Sequence, residues 1–207
     1  TTIFTVMSRL AAECGAINLS QGFPDFDPPS QLVERVTEHM RRGLNQYAPM
    51  AGWPALREQV AAKVREYYGA TVDPEHEITV TSGGTEALFA AIQAVVRPGD
   101  EVVVLDPCYD SYEPSVTLAG GRTIHVPLRR PDFAVDWDRV RDACTPKTRL
   151  LIVNSPHNPS GAVFGAADLD ALADLLRGTD AFVLSDEVYE HMVFDGVLHQ
   201  SLLRRPE

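Results

Sequence analysis

Apolar residues change their spacing along this chain of 207 residues, and the change divides it into zones. Leu32, Val33, Val36 and Met40 share one helical face, so the pattern predicts a helix from near Ser30, ended by Gly43. Leu56, Val60, Val64 and Tyr67 form the stripe of a second helix ended by Gly69. That helix opens at Trp53-Pro54, where a first-turn proline sacrifices no hydrogen bond. From Glu77 onward, short β-branched runs alternate with helical stretches. The runs are Ile78–Thr81, Val102–Leu105, Thr123–Val126, Leu150–Val153 and Phe182–Leu184. The predicted helices between them are Thr85–Val96, Tyr112–Ala119, Trp137–Cys144 and Ala167–Leu176. Residues 1–28, rich in Gly, Pro and Asp after Ala16, read as an extended arm.

Strands that alternate with helices are joined by crossovers, and crossovers make neighbouring strands parallel. The expectation is therefore an α/β fold with a mostly parallel sheet covered by helices on both faces. Ligands of such sheets bind beyond the carboxyl ends of the strands, so the loops that follow each strand carry the chemistry.

Four such loops stand out. Ser82-Gly83-Gly84-Thr85-Glu86 joins a run to a helix. Its glycines allow close approach of a ligand, and the helix start offers free N–H groups to an anion such as phosphate. A tight turn capped by Thr85 is the plainer reading. Asp106-Pro107-Cys108-Tyr109-Asp110 puts an aromatic ring where a planar ligand could lie, or where it simply packs. In Asn154-Ser155-Pro156-His157-Asn158-Pro159-Ser160-Gly161 the prolines stiffen the turn that holds Asn158. That amide either meets a ligand or bonds to backbone. Ser185-Asp186-Glu187-Val188-Tyr189-Glu190-His191 ends an apolar run in an acid, a costly placement unless the acid is paired. Asp186 suits a metal or a protonated ring nitrogen.

Composition narrows the classes. A hydrophobic share of 44% supports a sizeable core, and a net charge of −11 argues against nucleic acid or an anionic membrane surface. No apolar run approaches the ~20 residues of a membrane helix, and no signal peptide is visible. The three cysteines, Cys14, Cys108 and Cys144, form no CxxC pair, so neither a disulfide framework nor a metal site is expected, and a cytoplasmic setting is simplest. The glycine loop lacks the Gly-Lys-Ser/Thr of a P-loop and the spacing of a dinucleotide fingerprint. The chain opens on Thr1 and closes on Leu202-Leu203-Arg204-Arg205-Pro206-Glu207 with no clear terminal element, which reads as residues missing on either side.

Taken together, the loops resemble class I aminotransferases of fold type I, which use pyridoxal 5'-phosphate. The resemblance rests on Asn18-Leu19-Ser20-Gln21-Gly22-Phe23-Pro24-Asp25-Phe26, on Asn45-Gln46-Tyr47 followed by Gly52-Trp53-Pro54-Ala55-Leu56-Arg57, and on the loops after Asn154 and Ser185. These segments occur in the family's order and span essentially the whole chain. Thr1-Thr2-Ile3-Phe4-Thr5 and Asn45-Gln46-Tyr47-Ala48-Pro49-Met50 resemble the branch of bacterial methionine aminotransferases, beside kynurenine and glutamine transaminases.

The resemblance implies residues 1–28 as an arm with part of a small domain, and 29–207 as a partial large domain. It implies that Gly84 and Thr85 hold the cofactor phosphate and Tyr109 stacks on the ring. Asn158 and Tyr189 would bond the ring's phenolic oxygen, and Asp186 would pair with its nitrogen. Gly22 would lie beside the substrate carboxylate. Tyr47 would reach the phosphate of a partner subunit, which requires a homodimer. The substrates would be an L-amino acid (methionine, aromatic or large neutral) and a 2-oxo acid. The resemblance implies that the family's Schiff-base lysine lies beyond Glu207, after the Asp186-Glu187-Val188-Tyr189-Glu190 segment; neither Lys63, in an amphipathic helix, nor Lys147, which precedes a strand, is expected to serve. The chain alone is then expected to be inactive. A carbon–sulfur β-lyase, an aminotransferase-like sensor domain of a transcription regulator and a non-catalytic remnant remain as alternatives.

Overall fold

Two strands at the middle of the sheet show why the apolar runs are continuous. In a computed structural model, which describes residues 2–22 and 24–205, β1 (Glu101–Asp106) and β3 (Thr148–Asn154) are buried on both faces. Val103, Leu105, Leu151 and Val153 point to one side, where they meet Val140, Leu169, Leu172 and Phe164. Val102, Val104, Leu150 and Ile152 point to the other, against Leu88, Ile92, Val96, Tyr112 and Val116. Successive side chains of a strand face opposite ways, so only an unbroken apolar run satisfies two cores.

The sheet has four parallel strands in the order β2-β1-β3-β4, with β2 at Arg122–Pro127 and β4 at Phe182–Asp186. Its edge strands are only partly covered. The helices α4 (Gly84–Val95) and α5 (Tyr112–Leu118) supply one covering layer, and α6 (Trp137–Ala143) and α7 (Ala166–Leu176) the other. The expected parallel, doubly covered α/β sheet is present, and every predicted helix forms to within a residue or two. Helix α3 (Pro54–Tyr68) has proline in its first turn and ends on Gly69 at φ 68°. A β-carbon is disfavoured at that angle.

Two expectations are corrected. Ile78–Thr81 forms no strand and pairs with none among the described residues. A β-branched run becomes a strand only where a ladder partner lies alongside. This one is tied by Val80 N–H to the Ala51 carbonyl at 3.0 Å and by Gly83 N–H to the Thr81 carbonyl at 2.8 Å. The arm is also not extended throughout, because α1 occupies Ile3–Glu13. The Thr2 hydroxyl accepts from Thr5 N–H at 3.4 Å to cap it, and Ile3, Val6, Met7 and Leu10 recur at i, i+3, i+4 and i+7. That helical spacing lies ahead of Ala16, outside the Gly- and Pro-rich stretch that reads as an extended arm.

By backbone proximity the chain divides into two compact units, Thr1–Ala48 and Pro49–Glu207. The first holds α1 and α2 (Ser30–Arg41), and the apolar faces of both helices are exposed. Among the described residues no helix is long and apolar enough to cross a membrane.

Candidate active site

The strands β1, β3 and β4 end at Asp106, Asn154 and Asp186, so three polar side chains stand at one rim of the sheet. Asn154 and Asp186 are register partners. The Asn154 amide donates to the Asp186 carbonyl at 2.8 Å, and its own oxygen accepts from Asn158 N–H at 2.7 Å. One buried side chain thereby ties the turn after β3 to the end of β4. His157, buried in the same turn, meets the Ser160 hydroxyl through Nδ1 at 2.7 Å. Burial depresses its pKa, partly offset by the carbonyl of Pro107.

Above this rim lies a cleft of about 550 Å³ lined by Gly84, Thr85, Tyr109, Asn158, Asp186 and Tyr189. All the expected site residues after position 49 therefore share one cavity. Gly83, at φ 85°, is the N-cap of α4, so the helix starts on Gly84 and Thr85 lies inside its first turn rather than at the cap. The Thr85 hydroxyl stands 3.5 Å from that of Tyr109. The Tyr109 ring packs edge-on to Tyr112, with centroids 5.8 Å apart. Gly22 and Tyr47 belong to the first unit and are exposed there.

The carboxylate of Asp186 is held from two sides. Tyr112 Oη donates to Oδ2 at 2.7 Å, and Val188 N–H donates to Oδ1 at 3.2 Å. Burial, then the Asp186 charge, drives the Tyr112 pKa well upward, so the phenol keeps its proton. Sequence reasoning missed Tyr112 as a site residue and treated it as the start of a helix. Its signal was faint: it lies only three positions after Tyr109. Glu187 was also missed. It accepts from the Ser185 hydroxyl at 2.7 Å and Leu202 N–H at 3.1 Å, and meets His199 Nε2 at 2.8 Å, which braces the segment after β4.

A larger hollow of about 970 Å³ runs along the open edge of β4, lined by Val64, Leu172, Phe182 and Val183. Lys63 lies here, paired with Glu190, which also accepts from the Tyr68 hydroxyl. Lys147 is exposed. Neither lysine lines the cleft at Asp186.

The family description "aminotransferase class I and II" matches residues 15–205. Over 207 residues the chain is 52% identical to methionine aminotransferase of Escherichia coli, a match covering 100% of this chain and 54% of that protein. It is 48% identical to a probable N-succinyldiaminopimelate aminotransferase of Mycobacterium tuberculosis, over 98% of this chain and 51% of the other. The fold superposes on a crystal structure of an Escherichia coli protein with methionine aminotransferase function, with a TM-score of 0.95 at 52% identity. That match covers 99% of this chain and 54% of the other. The chain thus spans about half the length of the curated relatives it matches.

Proposed function

Because this chain belongs to the class I and II aminotransferases, we propose that it forms the cofactor-binding part of an enzyme that moves an amino group from an L-amino acid to a 2-oxo acid through pyridoxal 5'-phosphate. One observation carries the reading: the turn at Gly84-Thr85 and the acid Asp186 line the same cleft.

The donor set fits the group. The start of α4 presents N–H groups that have no partner within the helix, the Thr85 hydroxyl adds another donor, and no atom crowds the position of a Gly84 β-carbon. These would hold the phosphate. The Tyr109 ring would lie against the heterocycle, and Asn158 and Tyr189 would donate to its phenolic oxygen. When bound, the cofactor supplies an electron sink for charge developing at the substrate's α-carbon. Asp186 would accept from the ring N–H and keep that proton in place, because a neighbouring carboxylate favours the cationic ring.

The amino donor is read as methionine or another large neutral or aromatic residue. Gly22 would approach its carboxylate, Tyr47 would reach the phosphate of the partner in a homodimer, and the enzyme would act in the cytoplasm. The catalytic lysine is assigned to the share of the relatives' length that this chain does not span, since Lys63 is engaged with Glu190.

The test uses the enzyme that carries this chain. It should transfer nitrogen from methionine to a 2-oxo acid, and Asp186→Ala should remove most turnover with the circular dichroism unchanged. Release of ammonia and pyruvate without 2-oxo acid consumption would make it a lyase instead. Unaltered turnover in Asp186→Ala would overturn the role given to that acid.

A further inference from the structure

Beside the cleft, the parallel register sets up a second cluster that the cofactor reading does not use. Val104 of β1 pairs with His125 of β2, and Asp106 lies two residues beyond Val104, on the same face. His125 Nδ1 stands 3.0 Å from the Asp106 carboxylate, and the Cys108 sulfur lies beside both. The ligating atoms of Asp106, Cys108 and His125 all lie within 4.8 Å of one another. The other imidazole nitrogen, Nε2, faces Glu113 at 3.9 Å.

We propose that Asp106, Cys108 and His125 form a binding site for a borderline divalent transition-metal ion, Zn²⁺ foremost, with Glu113 orienting the histidine from behind. One sulfur, one imidazole nitrogen and one carboxylate oxygen suit Zn²⁺ and disfavour the hard ions Mg²⁺ and Ca²⁺, which take oxygen ligands. Ligands held about 2.0–2.3 Å from a tetrahedral ion sit about 3.3–3.7 Å apart, so closing the cluster takes side-chain movements of about 1 Å. One hydrogen now joins His125 Nδ1 to the Asp106 carboxylate, and the ion takes its place. The thiol releases its proton to solvent as the S–metal bond forms. The imidazole stays neutral, with its hydrogen moved to Nε2, where Glu113 accepts it. Water completes the fourth position. Cys108 directly precedes Tyr109, which lines the cleft, so the ion would sit against the wall of the candidate active site.

The experiment titrates the metal-free protein with Co²⁺ as a spectroscopic probe, then displaces it with Zn²⁺ in competition with a chromophoric chelator. The expected result is one ion per chain, with a sulfur-to-cobalt charge-transfer band that Cys108→Ser abolishes. His125→Ala and Cys108→Ser should each weaken Zn²⁺ binding by about a hundredfold or more, and Glu113→Gln by about tenfold, as outer-shell changes do. Cys144→Ser should leave binding as it is. A wild-type cobalt complex without the charge-transfer band overturns the proposal, and that reading needs no variant to fold. So does equal Zn²⁺ affinity in wild type and Cys108→Ser.

Discussion

Tyr112 Oη donates to Asp186 Oδ2 at 2.7 Å and so joins the start of α5 to the end of β4 across 74 positions of sequence. The bond fixes which way the carboxylate faces. Its donor also packs against Tyr109, so the aromatic wall and the acid of the cleft are set by one side chain. Tyr112→Phe keeps the ring and removes the donor. Losing a hydrogen bond to a charged group should cost about 1.5–3 kcal/mol, read from the urea midpoint. In the enzyme carrying this chain, turnover should fall while the secondary structure is kept. Turnover equal to wild type would reduce Tyr112 to packing.

Glu190 binds Lys63 and Tyr68 between α3 and the segment after β4. Burial pushes its pKa up, but the hydrogen bonds from Lys63 and Tyr68 overcome this and hold it below the usual carboxylate range. A depressed folded-state pKa stabilises above the unfolded value, and the benefit disappears as pH falls through the folded one. Glu190→Gln should therefore destabilise by about 1–2 kcal/mol at neutral pH. The gap to wild type should close in acid. A constant difference in urea midpoint between neutral and acid pH would show that the charge of Glu190 contributes nothing.

Gly52 sits at φ 98°, and a β-carbon there would lie 2.6 Å from Val80 Cβ. Gly52→Ala should combine backbone strain with a clash and cost about 1–3 kcal/mol. Hydrogen exchange should quicken at Val80, whose N–H bonds to Ala51. Wild-type protection at Val80 in the variant would contradict this.

Leu151 is fully buried in the cluster beneath α6 and α7. Leu151→Ala should cost about 2–5 kcal/mol through lost transfer energy and the cavity left behind. Thr85→Ala, in the cleft, should leave the melting temperature near wild type yet weaken binding of pyridoxamine phosphate, measured by calorimetry. Equal affinity would remove Thr85 from the phosphate site.

Much of this was legible along the chain. Strands β1, β3 and β4 and helices α2 to α7 follow from spacing and terminators such as Pro54 and Gly69, because amphipathic periodicity and restricted φ angles are local properties. The ends of those strands and the loops after them contain the cleft residues Tyr109, Asn158, Asp186 and Tyr189, the start of α4 contains Thr85, and residue order is enough to nominate them. Position could not say that Ile78–Thr81 would find no strand partner among the described residues, since ladder hydrogen bonds need a neighbour that only the folded chain supplies. Nor could it bring Tyr112 to Asp186, Glu190 to Lys63, or His125 to Asp106 and Cys108. Those contacts depend on sheet order and register, which place side chains dozens of residues apart within a few ångströms. Local sequence dictates which elements form; burial of two apolar faces on one parallel sheet decides which polar groups meet at its rim.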